Sequence, residues 1–228
     1  MGALAAEPLV DWEWVGNHTD DIWAAFTEHL TLTFLAVGIG FGLALAMALV
    51  AIRWRWTYGV LAGMCVVIYA IPSIALLALL VPALGLGLVT AEIALVGYTL
   101  LILLRNIVAG FDGVSPAVRE AADGMGYEGW RRLLRVDLPL AAPTVLAGLR
   151  IATVTTVGLV TVTALVGEGG FGSLINDGLS RNFSTPIVVG TALSIALAIA
   201  LDIVFVGVEW AAAPWNRGRT WRTGGSRG

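Results

Sequence analysis

Few residues in this chain are equipped for covalent chemistry. His18 and His29 are its only histidines, and both lie near the start. Cys65 is the only cysteine, and it sits inside an apolar run. All 13 basic residues are arginine. Without lysine there is no phosphate-binding loop of the GxxxxGK[ST] type and no Schiff-base chemistry. One cysteine makes no internal disulfide, and two histidines make no His-rich metal site. No catalytic residue and no metal ligand is assigned. The run Gly167-Glu168-Gly169-Gly170-Phe171-Gly172 matches GxGxxG, but a dinucleotide site needs a βαβ unit around it. This run follows a long apolar stretch and reads as an external loop or gate. What remains is recognition. The segment EAADGMGYEGWRRLLRVDLPLAAP, Glu120 to Pro143, places seven charged residues between apolar runs.

The rest of the chain explains why that segment stands out. Of 228 residues, 58% are hydrophobic and 13% charged, against about 25% charged in an average soluble domain. Uncharged runs of about 20 residues mark membrane spans. Five are read, at about 31–52, 57–81 (kinked near Pro72), 91–110, 143–166 and 186–210. The third is the weakest, because Arg105 and Asn106 interrupt it. Each is long enough to cross roughly 30 Å of hydrocarbon at about 1.5 Å per residue.

Arginine placement gives an orientation. If five spans alternate, Arg53, Arg55, Arg105, Arg119, Arg131, Arg132, Arg135, Arg150, Arg217, Arg219, Arg222 and Arg227 share one side, and only Arg181 lies on the other. The positive-inside rule makes the arginine-rich side cytoplasmic, with the N-terminus outside and the C-terminus inside. Trp54, Trp56, Trp210 and Trp215 sit at span ends, as an aromatic belt does. Residues 1–28 carry six acidic and no basic side chains, so they lack the positive start of a signal peptide. They read as an extracytoplasmic, interfacial segment or a disordered tail. Residues 29–212 form the membrane domain, and 213–228 a cytoplasmic arginine-rich tail.

Inside the charged segment, Ser115 suits a helix N-cap and Pro116 the first helical position. Val118, Ala121, Ala122 and Met125 follow with helical spacing, and Gly126 stands where a helix ends with positive φ. A second short helix carries Trp130, Leu133 and Leu134, with Arg131, Arg132 and Arg135 on its other face. Leu138-Pro139 ends it. Two roles fit this pair: an amphipathic cover for the membrane surface, or a docking element for a cytoplasmic partner.

The polar residues within spans admit two readings as well. Thr153, Thr156 and Thr163 share one sector of span four and either line a polar path or bond to their own helix. Asp202 in span five is a transport candidate, or a partner of Arg150. Pro72 and Ser73 break a helix near mid-membrane, as helices around transport sites do. Tyr69 lies one turn away and offers an aromatic face for a cation.

Glu120, Ala121, Ala122, Gly126, Val136, Leu138 and Pro139 form the pattern E-A-A, three residues, G, nine residues, V-x-L-P. This resembles the EAA loop of permease subunits in bacterial binding-protein-dependent ABC importers, where Ile is usual in place of Val136. "YAIPSIALLALLVP", "RVDLPLAAPTVLAGLRIATV" and "ALVGEGGFGSLI" look like the osmoprotectant branch, which imports glycine betaine, carnitine and choline. The resemblance covers about Glu28 to Asp202. It implies an all-α, polytopic membrane protein of the type I importer permease kind, with about five transmembrane helices and a cytoplasmic coupling loop at about 112–140.

The partners it implies are ABC ATPase subunits, a second permease subunit (identical or different), an extracytoplasmic solute-binding protein and the bilayer of a bacterial cell membrane. Nucleic acid has no part. It implies no cofactor on this chain, because ATP and Mg belong to the ATPase subunits. Glu120, Ala121, Ala122 and Gly126 become the ATPase-coupling positions, with Pro139 setting the angle into span four. Arg131, Arg132 and Arg135 then contact anionic lipid or the ATPase. The nearest rival is the same machine for methionine or another amino acid. A carrier or channel independent of ATP would need more ionisable residues at mid-depth, and an intramembrane enzyme would need a reactive pair within its spans.

Overall fold

A computed structural model describes residues 9–212. The expected C-terminal tail, with its four arginines and Trp215, lies outside the described residues. Among the described residues every regular element is helical. Four helices are long and apolar enough to cross a membrane, and a bent pair makes a fifth.

Asp11 opens α1 (Trp12–Asn17) as an N-cap, accepting from the amides of Glu13 at 2.9 Å and Trp14 at 3.2 Å. Helix α2 (Thr19–Arg53) runs 35 residues, starting twelve residues before the first expected span. Nothing in 19–30 breaks a helix, and Asp20 and Asp21 suit its positive N-terminal end. Its buried face is a stripe of small residues: Ala36, Gly40, Ala44 and Ala48. A Cβ on Gly40 would collide with the Thr99 side chain, so this stripe lets α2 lie close against its neighbour, as small residues do between membrane helices.

The second expected span is two helices, α3 (Thr57–Ala70) and α4 (Ser73–Leu84), set at 96°. Pro72 has no amide with which to continue α3, and the carbonyl of Ile71, which is extended between the two helices, accepts a hydrogen bond from the Tyr98 hydroxyl. The third expected span, read as the weakest, is α5 (Leu88–Asp112), the central helix. Two thirds of its apolar window is buried. Arg105 points outward, so its charge does not weaken the buried face. Asn106 bonds to Ile102 of its own helix at 2.8 Å, and Gly148 leaves room for it. Leu103, Leu104, Ile107 and Phe111 of α5 form the main core with Ala44 and Ala48 of α2 and with Ala141 and Val145 further along the chain.

The loop after α5 holds α6 (Pro116–Gly124) and one turn of helix, α7 (Gly129–Arg132). Here the expected proline stop fails. A π turn at Leu133–Asp137 joins α7 to α8 (Leu138–Val160), and a 3₁₀ turn at Thr161–Val166 extends α8, so one helical rod runs from Gly129 to Val166. In the π turn the Leu138 amide donates to Leu133, five residues back. The widened turn accommodates Pro139, which has no amide to offer and in a tight α-turn would collide with the preceding turn. The fourth span therefore begins well before Pro143.

Where an external loop is expected, α9 (Phe171–Arg181) follows the glycine run. Asn182 at φ 54° turns the chain into α10 (Ser184–Ala212). Two ends result. One gathers Arg53, Asp112, α6 and α7. The other gathers Thr19, Gly87, the Gly167–Gly172 run and α9, where the Gly87 amide donates to the Val166 carbonyl at 2.8 Å.

Candidate coupling surface and glycine loop

Helix α6 ends as its sequence requires. Gly126 has φ 80°. The Tyr127 amide donates to the Ala122 carbonyl at 3.0 Å, and the Gly126 amide to Asp123 at 3.0 Å, the pair of bonds that closes a helix over a left-handed glycine. At the other end the Ser115 side chain makes no cap bond, and its carbonyl serves the amides of Val118 and Arg119 instead. Of the expected apolar stripe only Ala122 is buried. Val118, Ala121 and Met125 are exposed, as are Glu120 and Trp130. Glu120 has no partner among the described residues. An apolar-acidic face thus stands free on a short, firmly terminated helix.

The back of α6 is fixed by a residue the sequence reading passed over. Asp137, at the end of the π turn, has a side chain only 6% exposed between two guanidiniums. Arg119 donates from Nε to Asp137 at 3.1 Å and from Nη2 to the Phe111 carbonyl at 2.6 Å. Arg132 binds Asp123 through Nη1 at 2.6 and 2.7 Å, and its Nε lies 3.5 Å from Asp137. Arg132 is therefore an internal tie, with its side chain still 29% exposed. Its neighbour Arg131 stacks over the Tyr127 ring at 5.2 Å, while Arg135 is exposed. Close by, Arg55 and Asp112 form a two-point pair at 2.8 and 3.0 Å that holds the guanidinium above its ordinary pKa. A carboxylate just before the LP pair, within reach of two arginines, was the available signal for Asp137.

The residues read as pathway candidates do not converge on one site. Thr153, Thr156 and Thr163 are buried, and each hydroxyl donates to a carbonyl of its own helix at 2.8 Å. Asp202 pairs with Arg150 through both carboxylate oxygens, with Nη2–Oδ2 at 2.7 Å, and ties α10 to α8. Ser73 and Thr163 do meet, in the wall of a narrow, mostly apolar cavity that includes Tyr98. Tyr69 packs edge-on against Tyr98 at 5.9 Å, and Pro72 is exposed at the helix break. Tyr98 was missed, although a tyrosine facing a proline break has an obvious carbonyl to cap. Glu92 was missed too. It is 7% exposed, and neither carboxylate oxygen meets a protein donor. An acid one residue inside an expected span was signal enough to single it out.

The glycine run is a tightly packed joint. Glu28 accepts from the Gly169 amide at 2.8 Å. His29 is fully buried, with Nδ1 3.3 Å from the Phe171 amide and Nε2 3.0 Å from the Val157 carbonyl. Those partners set the tautomer, since a carbonyl needs an N–H and an amide needs a lone pair. A Cβ on Gly170 would lie 2.6–2.8 Å from His29, and one on Gly172 would run into the Thr161 backbone. Both glycines are present because the backbones touch.

Comparison with known proteins joins these parts. The chain is 34% identical over 188 residues to the glycine betaine/carnitine/choline transport system permease protein OpuCB of Bacillus subtilis (strain 168), covering 82% of this chain and 86% of that one. It is 35% identical over 145 residues to the osmoprotectant import permease protein OsmW of Salmonella typhimurium, covering 61% and 67%. The fold matches that of the inward-facing MetNI methionine ABC transporter, with a TM-score of 0.73 at 20% identity over 88% of this chain and 97% of that one. A solved amino acid ABC transporter matches with a TM-score of 0.74. Residues 38–209 match the family model described as "Binding-protein-dependent transport system inner membrane component", and the chain belongs to that family.

Proposed function

We propose that this chain is the permease subunit of an ATP-driven importer of quaternary-amine compatible solutes such as glycine betaine, carnitine or choline. The likeness to curated permeases of that substrate class over four fifths of the chain carries this reading. Two copies, or this chain with a second permease, pair in the membrane. The arginine-rich end faces the cytoplasm, and ATP and Mg bind to partner ATPase subunits. The exposed face of α6 docks on the ATPase: Ala121 permits close approach, Glu120 supplies a polar contact, and Gly126 ends the helix at the joint. An extracytoplasmic binding protein delivers the solute at the opposite end, next to the Gly167–Gly172 run and α9. ATP-driven closure of the ATPase subunits moves α6, and the pathway alternates between inward and outward access.

Proteoliposomes holding the permease, its ATPase and its binding protein test this. ATP-dependent uptake of glycine betaine, carnitine or choline is the expected result. Uptake of methionine alone, or uptake without ATPase, overturns it. The structural neighbours that transport methionine or another amino acid keep that alternative in the ligand panel.

A further inference from the structure

A cavity of about 490 Å³ opens where the ends of α2 and α5 stand beside α7 and the π turn. Arg53, Arg119 and Arg132 project into its wall, and Asp137 is the single carboxylate there. The guanidiniums keep donors to spare, since each has five N–H groups. Arg119 commits Nε and Nη2, and Arg132 commits Nη1. The Arg132 Nε faces Asp137 at 3.5 Å, an ion pair too long to be a close hydrogen bond. Arg53 has no ion-pair or hydrogen-bond partner among the described residues. The wall thus has an excess of positive charge, three guanidiniums against one carboxylate.

The remaining wall is apolar, through Leu49 and Ile52 of α2 among others. From there an exposed apolar strip continues along α2 through Val50, Leu43 and Ile39. Exposed Trp54 and Trp56 sit just past the end of α2, as tryptophans do at a membrane interface. A free anion would use only the charged half of this cavity. A phospholipid uses both, with its phosphate among the arginines and its acyl chains on the strip. We propose that the cavity binds the phosphate headgroup of an anionic phospholipid through Arg53, Arg119 and Arg132. Because Arg119 and Arg132 also hold Asp137, the bound headgroup bears directly on the tie behind α6. The site holds whichever solute is imported.

Native mass spectrometry of the purified permease–ATPase complex, released from nanodiscs of mixed phosphatidylglycerol and phosphatidylcholine, tests this. The wild-type complex is expected to retain phosphatidylglycerol preferentially. Arg53→Gln lowers that preference about fivefold, the scale of one arginine near a lipid headgroup. Arg53→Lys restores most of it, and Arg181→Gln, exposed at the opposite end of the molecule, leaves it unchanged. Equal retention in wild type and Arg53→Gln overturns the proposal, as does an equal loss in Arg181→Gln. Displacement of the lipid by soluble glycerol phosphate assigns the site to a free phosphate and overturns the lipid. Greater lipid retention by permease stripped of its ATPase shows that an acidic group of the ATPase fills the cavity instead, and overturns it too.

Discussion

Arg150 and Asp202 face each other across the α8–α10 boundary as a two-point ion pair between residues 52 apart in sequence. Only 11% of the apolar window of α10 is buried, so this pair adds a polar tie where apolar packing is sparse. Arg150→Gln and Asp202→Asn are each expected to lower the melting temperature of the detergent-purified chain by a few degrees. The double variant is expected to lose less than the two losses added, because neither charge is then left alone. Additive losses would show that the two side chains act independently.

Gly126 is under a backbone constraint and no steric one. Its φ is 80°, and a Cβ there would meet nothing within 4 Å. Gly126→Val is expected to cost about 1–2 kcal/mol in the closing turn of α6. ATPase-coupled uptake should fall with it, while membrane insertion stays normal. Gly126→Asn should keep most of the coupling, because asparagine tolerates this conformation. Equal loss in both variants would mean that space, not φ, is limiting.

Gly170 is constrained twice, by φ 50° and by contact with His29. Gly170→Ala is expected to destabilise the folded chain by about 1–3 kcal/mol, the usual cost of overpacking. Hydrogen exchange should then quicken at the Gly169 and Phe171 amides. Unchanged exchange at both would separate Gly170 from the Glu28–His29 clasp.

Tyr98→Phe removes one oxygen and leaves the Ile71 carbonyl without its donor. A loss of about 0.5–1.5 kcal/mol is expected, the net worth of a typical hydrogen bond, since this acceptor is only partly buried. Protease nicking at the α3–α4 break should accelerate. A thermal unfolding midpoint equal to that of the wild type would show that the break is held by packing alone.

The parts of the molecule readable in the sequence are those fixed by local chemistry. Gly126 ends α6, Pro72 breaks the second span, and Asp202 had Arg150 as an available partner. Features that depend on a neighbour were misread. Pro139 looks like a stop until the π turn before it is seen, and that turn is held by Asp137 between Arg119 and Arg132. Arg105 made α5 look weak, because a linear count does not say that the charge points away from the buried face. The Ala36-Gly40-Ala44-Ala48 stripe was legible as spacing but acquires meaning only against Thr99. The exposed face of α6 was singled out by its motif. The tie behind it was not, since no local pattern marks a carboxylate as buried.

The uninterrupted rod from Gly129 to Val166 has a mechanical consequence. Thirty-eight helical residues span roughly 57 Å at about 1.5 Å each. A stiff lever of that length turns a tilt of a few degrees beside α6 into a sweep of several ångströms at the far tip. That tip carries the Val166 carbonyl held by Gly87 and leads straight into the glycines clasped by Glu28 and His29. A single piece of backbone thus joins the two ends, with the π turn, Pro143 and the closing 3₁₀ turn as the places along it where torque can be taken up.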